Sequence, residues 1–376
     1  MCCDGDVFQV NFKKLLLRDQ STSFFYLVAQ RGGMAIIMKD ELLLSYMNKK
    51  AYLNRVPLTA VIELLTLCNF KCEHCYIPHR TSLGMKTDVV KNLLNDLRKI
   101  GTLSVLFTGG EIFLRDDIFE IIAYARSLHM RVTLLSNASL LNKNKIEQLS
   151  RLHISEFSTT VFSLIPDVND AITGRADSLR PILDNLELLK CAHIKVRVKM
   201  PIMKKNVASY ELVRDYCMQN QFEFMPSFSI SSKLDGEDSA KDLRVEKEDL
   251  YDLVRKAEKD GVISVKSSIF KNDPCSSIFC AISIDCKGDV FPCNSIPFKV
   301  GNIYEDSISD IWNQSEKLRY IQGIKKSDLH ECIDCKYEHI CERCPGMALL
   351  EGKGLLSCDP LAKRVAEVRM QNCLLY

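Results

Sequence analysis

The stretch AVIELLTLCNFKCEHCY, Ala60 to Tyr76, runs from an apolar segment straight into three thiols. Ala60–Leu67 is a short continuous apolar run and reads as a buried strand. Cys68, Cys72 and Cys75 follow at once in a C-x3-C-x2-C spacing, with no fourth cysteine nearby. A zinc site wants four ligands and usually comes as two paired knuckles. An iron–sulfur cubane also takes four ligands, normally thiolates. Three thiols at a strand exit therefore leave one iron of a cubane open to a small molecule; a zinc knuckle or unconnected thiols are the plainer alternatives.

Working outward, five further apolar runs can be marked: Ser104–Thr108, Arg131–Ser136, Phe157–Leu164, Ile194–Met200 and Phe222–Ser229. They alternate with amphipathic stretches, the pattern of repeated βα units around a parallel sheet. After the first run, Val89, Val90, Leu93, Leu94, Leu97 and Ile100 line one helical face, with Thr87 placed to cap its start. Six units are too few for a closed eight-fold barrel. The expected fold is α/β, an open partial (β/α)6 TIM-type barrel with its chemistry at the C-terminal ends of the strands.

The chain divides on this reading into residues 1–57, 58–272 and 273–376. In the first part, FFYLVAQ and MAIIMK flank Arg31-Gly32-Gly33 as a hairpin, and a helix starts near Asp40. The polar segment Ile230–Leu243 reads as an exposed loop over the substrate mouth. From Cys275 to Cys358, Cys, Gly, Pro and charged residues replace apolar periodicity, so bound metal is expected to supply part of the folding free energy there.

Formal net charge is only +2, which gives no electrostatic footprint for nucleic acid or an anionic membrane. No charged leader with an apolar core opens the chain and no run of about eighteen apolar residues occurs, so a cytoplasmic protein is expected. Seventeen cysteines in a reducing compartment point to metal or catalysis rather than to disulfides.

C-x3-C-x2-C after a first strand, with the ring of His74 before the last cysteine, resembles the signature of radical S-adenosylmethionine enzymes. The resemblance implies a 4Fe-4S cluster on Cys68, Cys72 and Cys75, chelated at its open iron by the amino and carboxylate groups of S-adenosyl-L-methionine. In FTGGE, Phe107 to Glu111, glycines allow close backbone approach, and a carbonyl or carboxylate there can accept from an ammonium. The resemblance assigns Thr108, Gly109, Gly110 and Glu111 to the methionine amino group. It places Ser136 and Asn137 in a turn beside the cofactor, where Ala138 stands in place of the family's glycine. Thr160 falls at the hydroxyl that meets the cofactor carboxylate, and Arg175 is a further carboxylate candidate.

The C-terminal spacing of Cys275, Gly288 and Cys293, then Cys332, Cys335, Cys341 and Cys344, then Cys358, resembles the SPASM extension of radical enzymes that modify peptides and proteins. A zinc ribbon on Cys332, Cys335, Cys341 and Cys344 is the alternative by spacing alone. The resemblance implies two auxiliary 4Fe-4S clusters. Cys332, Cys335, Cys341 and Cys358 would hold the outer one, and Cys275, Cys293 and Cys344 the inner, with Cys280 left open as its fourth ligand and Cys286 taken as a non-ligand. Asn294 follows Cys293, where the sulfatase-maturing branch has an aspartate.

The function this implies is a peptide maturase. It would generate a 5'-deoxyadenosyl radical and install an oxidative crosslink, thioether or carbon–carbon, in a ribosomally made peptide. Its partners would be that peptide or protein substrate and an external electron donor of flavodoxin or ferredoxin type. Residues 1–57 are a candidate element for capturing a leader peptide by strand addition, or a simple cap. A sulfatase-maturase-like modifier and a non-catalytic iron–sulfur electron carrier are the other readings.

Overall fold

The computed structural model describes residues 26–30, 33–37, 40–263 and 273–373. The chain forms two compact units, Met1–Arg55 and Val56–Tyr376. In the first, β1 (Tyr26–Gln30) and β2 (Gly33–Ile37) make an antiparallel hairpin with Gln30 opposite Gly33, and α1 spans Asp40–Leu53. Residues 31 and 32 of the expected turn lie outside the described residues, as do Cys2 and Cys3.

The second unit begins with the expected alternation: β3 (Thr59–Glu63), α2 (Thr87–Lys99), β4 (Ser104–Thr108), α3 (Ile118–Ser127), β5 (Arg131–Leu135), α4 (Lys143–Arg151) and β6 (Glu156–Thr160). It continues with α5 (Pro166–Thr173), α6 (Leu179–Cys191), β7 (Val196–Pro201), α7 (Tyr210–Asn220), β8 (Glu223–Ser227) and α8 (Lys247–Lys259). Strands β3 to β8 are parallel and hydrogen-bonded in chain order, the open (β/α)6 barrel.

Strand alternation sorts the side chains. Ala60 and Ile62 of β3, Val105 and Phe107 of β4, and Val132 and Leu134 of β5 belong to the buried core with the helices. The intervening residues face the barrel interior. On α2, Val90, Leu93, Leu94 and Leu97 are the buried face.

Several local expectations need correction: the run Phe157–Leu164 forms a strand only as far as Thr160, and Phe222–Ser229 only as far as Ser227. The first strand ends at Glu63 rather than Leu67, because Leu65 and Leu67 turn their carbonyls to the N–H groups of Gly110 and Glu111, each at 2.9 Å. Thr87 is not the cap of α2: Lys86 holds that position, and the Thr87 hydroxyl donates to Asp117 instead.

The cysteine-rich segment contributes β9 (Ala281–Ile284), β10 (Asp289–Phe291) and β11 (Gly301–Asn302). Strand β9 joins the free edge of β3 in parallel, Thr59 opposite Ala281, and extends the sheet to the order β11-β10-β9-β3-β4-β5-β6-β7-β8. The cysteine-rich segment is thus joined to the barrel's edge, which removes that edge from solvent. Helices α9 (Ile308–Gln314), α10 (Glu316–Gly323), α11 (His330–Ile333), α12 (Pro345–Glu351) and α13 (Pro360–Cys373) complete the unit.

Candidate cofactor site and auxiliary thiol sets

Cys68, Cys72 and Cys75 lie on the loop after β3, at the C-terminal mouth of the barrel. Two neighbours fix this loop. Thr173 and Ile172, at the end of α5, accept from the N–H groups of Lys71 (2.8 Å) and Glu73 (3.1 Å). Arg80 donates to the carbonyls of Phe70 (3.2 Å) and Cys72 (2.9 Å), and its charge stands close enough to favour the Cys68 and Cys72 thiolates.

Burial pushes the Cys72 thiol up to about 12, and the proximity of Cys75 and Cys68 pushes the same way. Three mutually close thiols, of which Cys68 and Cys72 resist ionisation through burial, are a donor set suited to a multivalent metal cluster, whose charge would reverse that preference. A cavity of 450 Å³, with Cys68, Cys72, Phe70, Arg80 and Lys233 in its wall, opens beside them. Lys233 comes from the segment 230–243, which reaches the cluster loop through the Leu234 N–H to the Tyr76 carbonyl at 3.1 Å. Among the described residues, no three His, Cys, Asp or Glu side chains are drawn together tightly enough to hold a single metal ion.

Gly109 and Gly110 form a cradle that side chains would fill. Gly109 has φ +145°, and a Cβ there would stand 2.2 Å from the Leu65 carbonyl oxygen; at Gly110 it would stand 2.2 Å from that of Leu67. Glu111 joins the turn to the neighbouring strand. Its carboxylate is fully buried and accepts from Phe113 N (3.0 Å), Ser136 Oγ (2.8 and 3.0 Å) and Asn137 N (2.8 Å). It therefore ties the exit of β4 to that of β5, beside the backbone carbonyls of the glycine turn.

Asn137 carries the connection further, donating through Nδ2 to Asn69 Oδ1 (2.8 Å), while Asn69 donates to Ser139 Oγ (2.9 Å). Ala138 takes the left-handed conformation (φ +64°) that a glycine would occupy without strain. Asn185 of α6 holds it there, donating to the carbonyls of Ala138 (2.9 Å) and Leu141 (3.2 Å). Asn185→Leu is expected to cost about 1–3 kcal/mol in urea unfolding, because it removes the shared donor of two buried carbonyls; an unchanged midpoint would show that the turn holds itself.

The ring of His74 packs edge-on against Phe162, centroids 5.0 Å apart. Burial, with the charge of Arg80, lowers its basicity to about 4 and keeps it neutral. Arg175 is exposed but not free: it donates to Asn69 O at 3.4 Å and lies 5.9 Å over the Phe70 ring. Thr160 ends β6 on the interior face, partly exposed, and Thr108, ending β4, is buried with its hydroxyl near that of Tyr76.

Below the mouth, Glu63 ends β3 beside Asp285 and Cys286, which follow β9. Burial, reinforced by Asp285 and opposed by contacts with Cys286 and by Lys287, pushes the Glu63 carboxyl from 4.5 up to about 7. The folded chain therefore holds a proton there that the unfolded chain releases. Its stabilisation is complete below about 4.5 and is lost as pH rises through about 7. Glu63→Gln is expected to raise the melting temperature above pH 7 and to change it little near pH 4.5; a pH-independent effect would contradict this.

The C-terminal thiols fall into two sets of four. Cys275, Cys280, Cys293 and Cys344 act on one another electrostatically. So do Cys332, Cys335, Cys341 and Cys358, where burial above all, then Asp359 and the neighbouring thiols, pushes Cys341 up to about 12. Cys280 thus stands with the inner set. Cys286 is buried and stands apart with Glu63.

Among the residues that sequence reasoning missed, Arg80, Asn69 and Arg115 lie in no spacing motif and are recognisable only by what they touch. Arg115, nine-tenths buried, donates to the carbonyls of Leu64 (3.1 Å), Leu83 (2.9 Å) and Met85 (2.9 Å) and pairs with Asp117 at 2.6 Å. It closes the base of the cluster loop.

The Radical SAM superfamily profile matches residues 62–213, and that of the SPASM iron–sulfur cluster-binding domain matches residues 275–345. The AdoMet-dependent heme synthase of Methanosarcina barkeri is 25% identical over 340 residues, 82% of this chain and 97% of the relative. The antilisterial bacteriocin subtilosin biosynthesis protein AlbA of Bacillus subtilis is 27% identical over 306 residues, 77% of this chain and 67% of the relative. Streptococcus suis SuiB bound to S-adenosylmethionine has a similar fold, with TM-score 0.67 and 20% identity over 87% of this chain and 84% of that one. Among the described residues no helix is long and apolar enough to cross a membrane.

Proposed function

The chain is a radical S-adenosylmethionine superfamily enzyme with a C-terminal SPASM domain, and from that premise we propose that it matures a ribosomally made peptide by an oxidative crosslink, thioether or carbon–carbon. The observation that carries the reading is the division of the thiols. One set of three lies at the barrel mouth and two sets of four lie in the C-terminal segment. When bound, a cluster with an open iron and S-adenosylmethionine supply a carbon-centred radical that removes hydrogen from an unactivated carbon.

The chain's own residues orient and enclose. Cys68, Cys72 and Cys75 hold the cluster, and Arg80 and the α5 terminus fix the loop that carries them. The carbonyls at Gly109 and Gly110 receive the methionine ammonium, and Glu111 sets their position through Ser136 and Asn137. Thr160 and Arg175 are the candidate carboxylate donors.

In the C-terminal segment, Cys332, Cys335, Cys341 and Cys358 hold one auxiliary 4Fe-4S cluster and Cys275, Cys280, Cys293 and Cys344 the other. With four thiols in each set, either cluster, when bound, would be held by protein ligands alone and could accept the one electron that the substrate radical gives up, with loss of a proton, as the crosslink closes. An external donor of flavodoxin or ferredoxin type recharges the site, and the hairpin β1–β2 is the candidate edge for a leader peptide.

Likeness to AlbA supports a peptide substrate. Full-length likeness to the M. barkeri heme synthase favours a second reading, modification of a tetrapyrrole. Anaerobically reconstituted protein given dithionite and S-adenosylmethionine is expected to release 5'-deoxyadenosine; none would refute the enzyme reading. A short peptide encoded beside the chain is expected to lose hydrogen in that mixture. A Soret shift on adding iron coproporphyrin, without peptide modification, would favour the tetrapyrrole instead.

A further inference from the structure

Arg343 stands in the chain between two thiols of different sets, Cys341 and Cys344. Its guanidinium reaches across to the loop that leads into Cys358. Nε and Nη2 donate to the Ser357 carbonyl at 3.0 and 2.8 Å, and Nη2 donates to the Leu355 carbonyl as well. Two of the three nitrogens are thus committed to holding that loop. The third, Nη1, is buried and has no partner among the described residues. A buried donor of a charged group is costly to leave without an acceptor, so one that persists marks a place where something else completes it.

The charges around it show which set it serves. Burial pushes the Cys332 thiol up, and Arg343 is the main influence opposing that rise. The outer set otherwise stands among negative groups: Glu331 and Glu338 act on Cys332, and Asp359 acts on Cys341 and Cys358. Lys363, which acts on Cys358, is exposed, so water and salt screen it. On the inner set, the main charges on Cys344 are Cys275 and Asp359. Arg343 is therefore a cation of the outer set, although it adjoins Cys344 in sequence.

We infer that Nη1 of Arg343 donates a hydrogen bond to a sulfur of the outer cluster and so raises the reduction potential of that cluster. Uptake of one electron makes the cluster one charge more negative, and a charged donor at its sulfurs favours that form. The electron comes from the substrate radical, which is oxidised and loses a proton as the crosslink closes. Arg343 thereby favours electron transfer to the outer set without touching the substrate. The inference rests on the reading of two auxiliary 4Fe-4S clusters, this one on Cys332, Cys335, Cys341 and Cys358.

The test is a potentiometric titration followed by electron paramagnetic resonance on the reconstituted full chain carrying Cys72→Ala, so that only the C-terminal sets hold clusters. Adding Arg343→Gln is expected to lower one of the two potentials by about 59 mV, a tenfold change in the one-electron equilibrium, as for loss of a charged hydrogen bond, and to move the other little. Arg343→Lys, which keeps the charge, should lower it less. Because Arg343→Gln also releases the Leu355 and Ser357 carbonyls, a second measurement keeps the arginine: with its guanidino nitrogens isotopically labelled, pulsed resonance should show hyperfine coupling at one reduced cluster and not at the other. Potentials unmoved by Arg343→Gln with iron retained, or no nitrogen coupling at either cluster, would overturn the inference. Iron for only one C-terminal cluster before Arg343 is changed would refute the reading beneath it, and the inference with it.

Discussion

Replacing Cys72 with alanine is expected to abolish release of 5'-deoxyadenosine while the two C-terminal thiol sets keep their iron. Cys72 sits at the centre of its loop, between the α5 contacts and the Arg80 clamp, and is the thiol that burial and its two neighbours push to about 12. Without it the loop offers two thiols, too few to retain a cubane. The C-terminal sets share none of its contacts, so iron analysis should fall by one cluster only. Retained cofactor cleavage would move the reactive iron elsewhere.

Arg115→Met should give the largest loss of stability of any single change considered. The guanidinium binds three carbonyls on both flanks of the cluster loop and is paired with Asp117. Methionine keeps the aliphatic bulk but leaves those carbonyls without their donor and Asp117 without its cation, with only the Thr87 hydroxyl still donating to it. Removing one partner of such a pair costs about 3–5 kcal/mol, measurable as a shifted denaturation midpoint. Because Leu64 and Met85 bracket the loop, cofactor binding should weaken in parallel. A loss of stability with undiminished binding would mean that the loop is held by its α5 contacts alone.

Much of the fold was legible because each barrel strand is a short apolar run followed by a helix with one apolar face, and periodicity reports both. The exit of the first strand was not. Leu64–Leu67 is as apolar as the strand before it, and only the glycine turn opposite, whose N–H groups take the carbonyls of Leu65 and Leu67, shows where the ladder stops. The pairing of β9 with β3 was hidden for another reason. Ala281–Ile284 is a four-residue run whose partner lies more than two hundred positions away, and local pattern carries no information about such a neighbour.

The thiols of the site could be read from spacing, since clusters need sulfur at fixed intervals along one loop. What positions them could not. Glu111 stands in the FTGGE string beside the glycines, but nothing in that string shows its carboxylate accepting from Ser136 and Asn137 on the next strand's exit.

The central claim is that the cluster at the barrel mouth has an iron no protein side chain reaches. Electron paramagnetic resonance of the anaerobically reduced protein, with and without S-adenosylmethionine labelled at its amino nitrogen and carboxylate oxygens, tests it most directly. Addition of the cofactor should shift the cluster signal and show hyperfine coupling to both labels. An unshifted signal free of coupling would contradict the account.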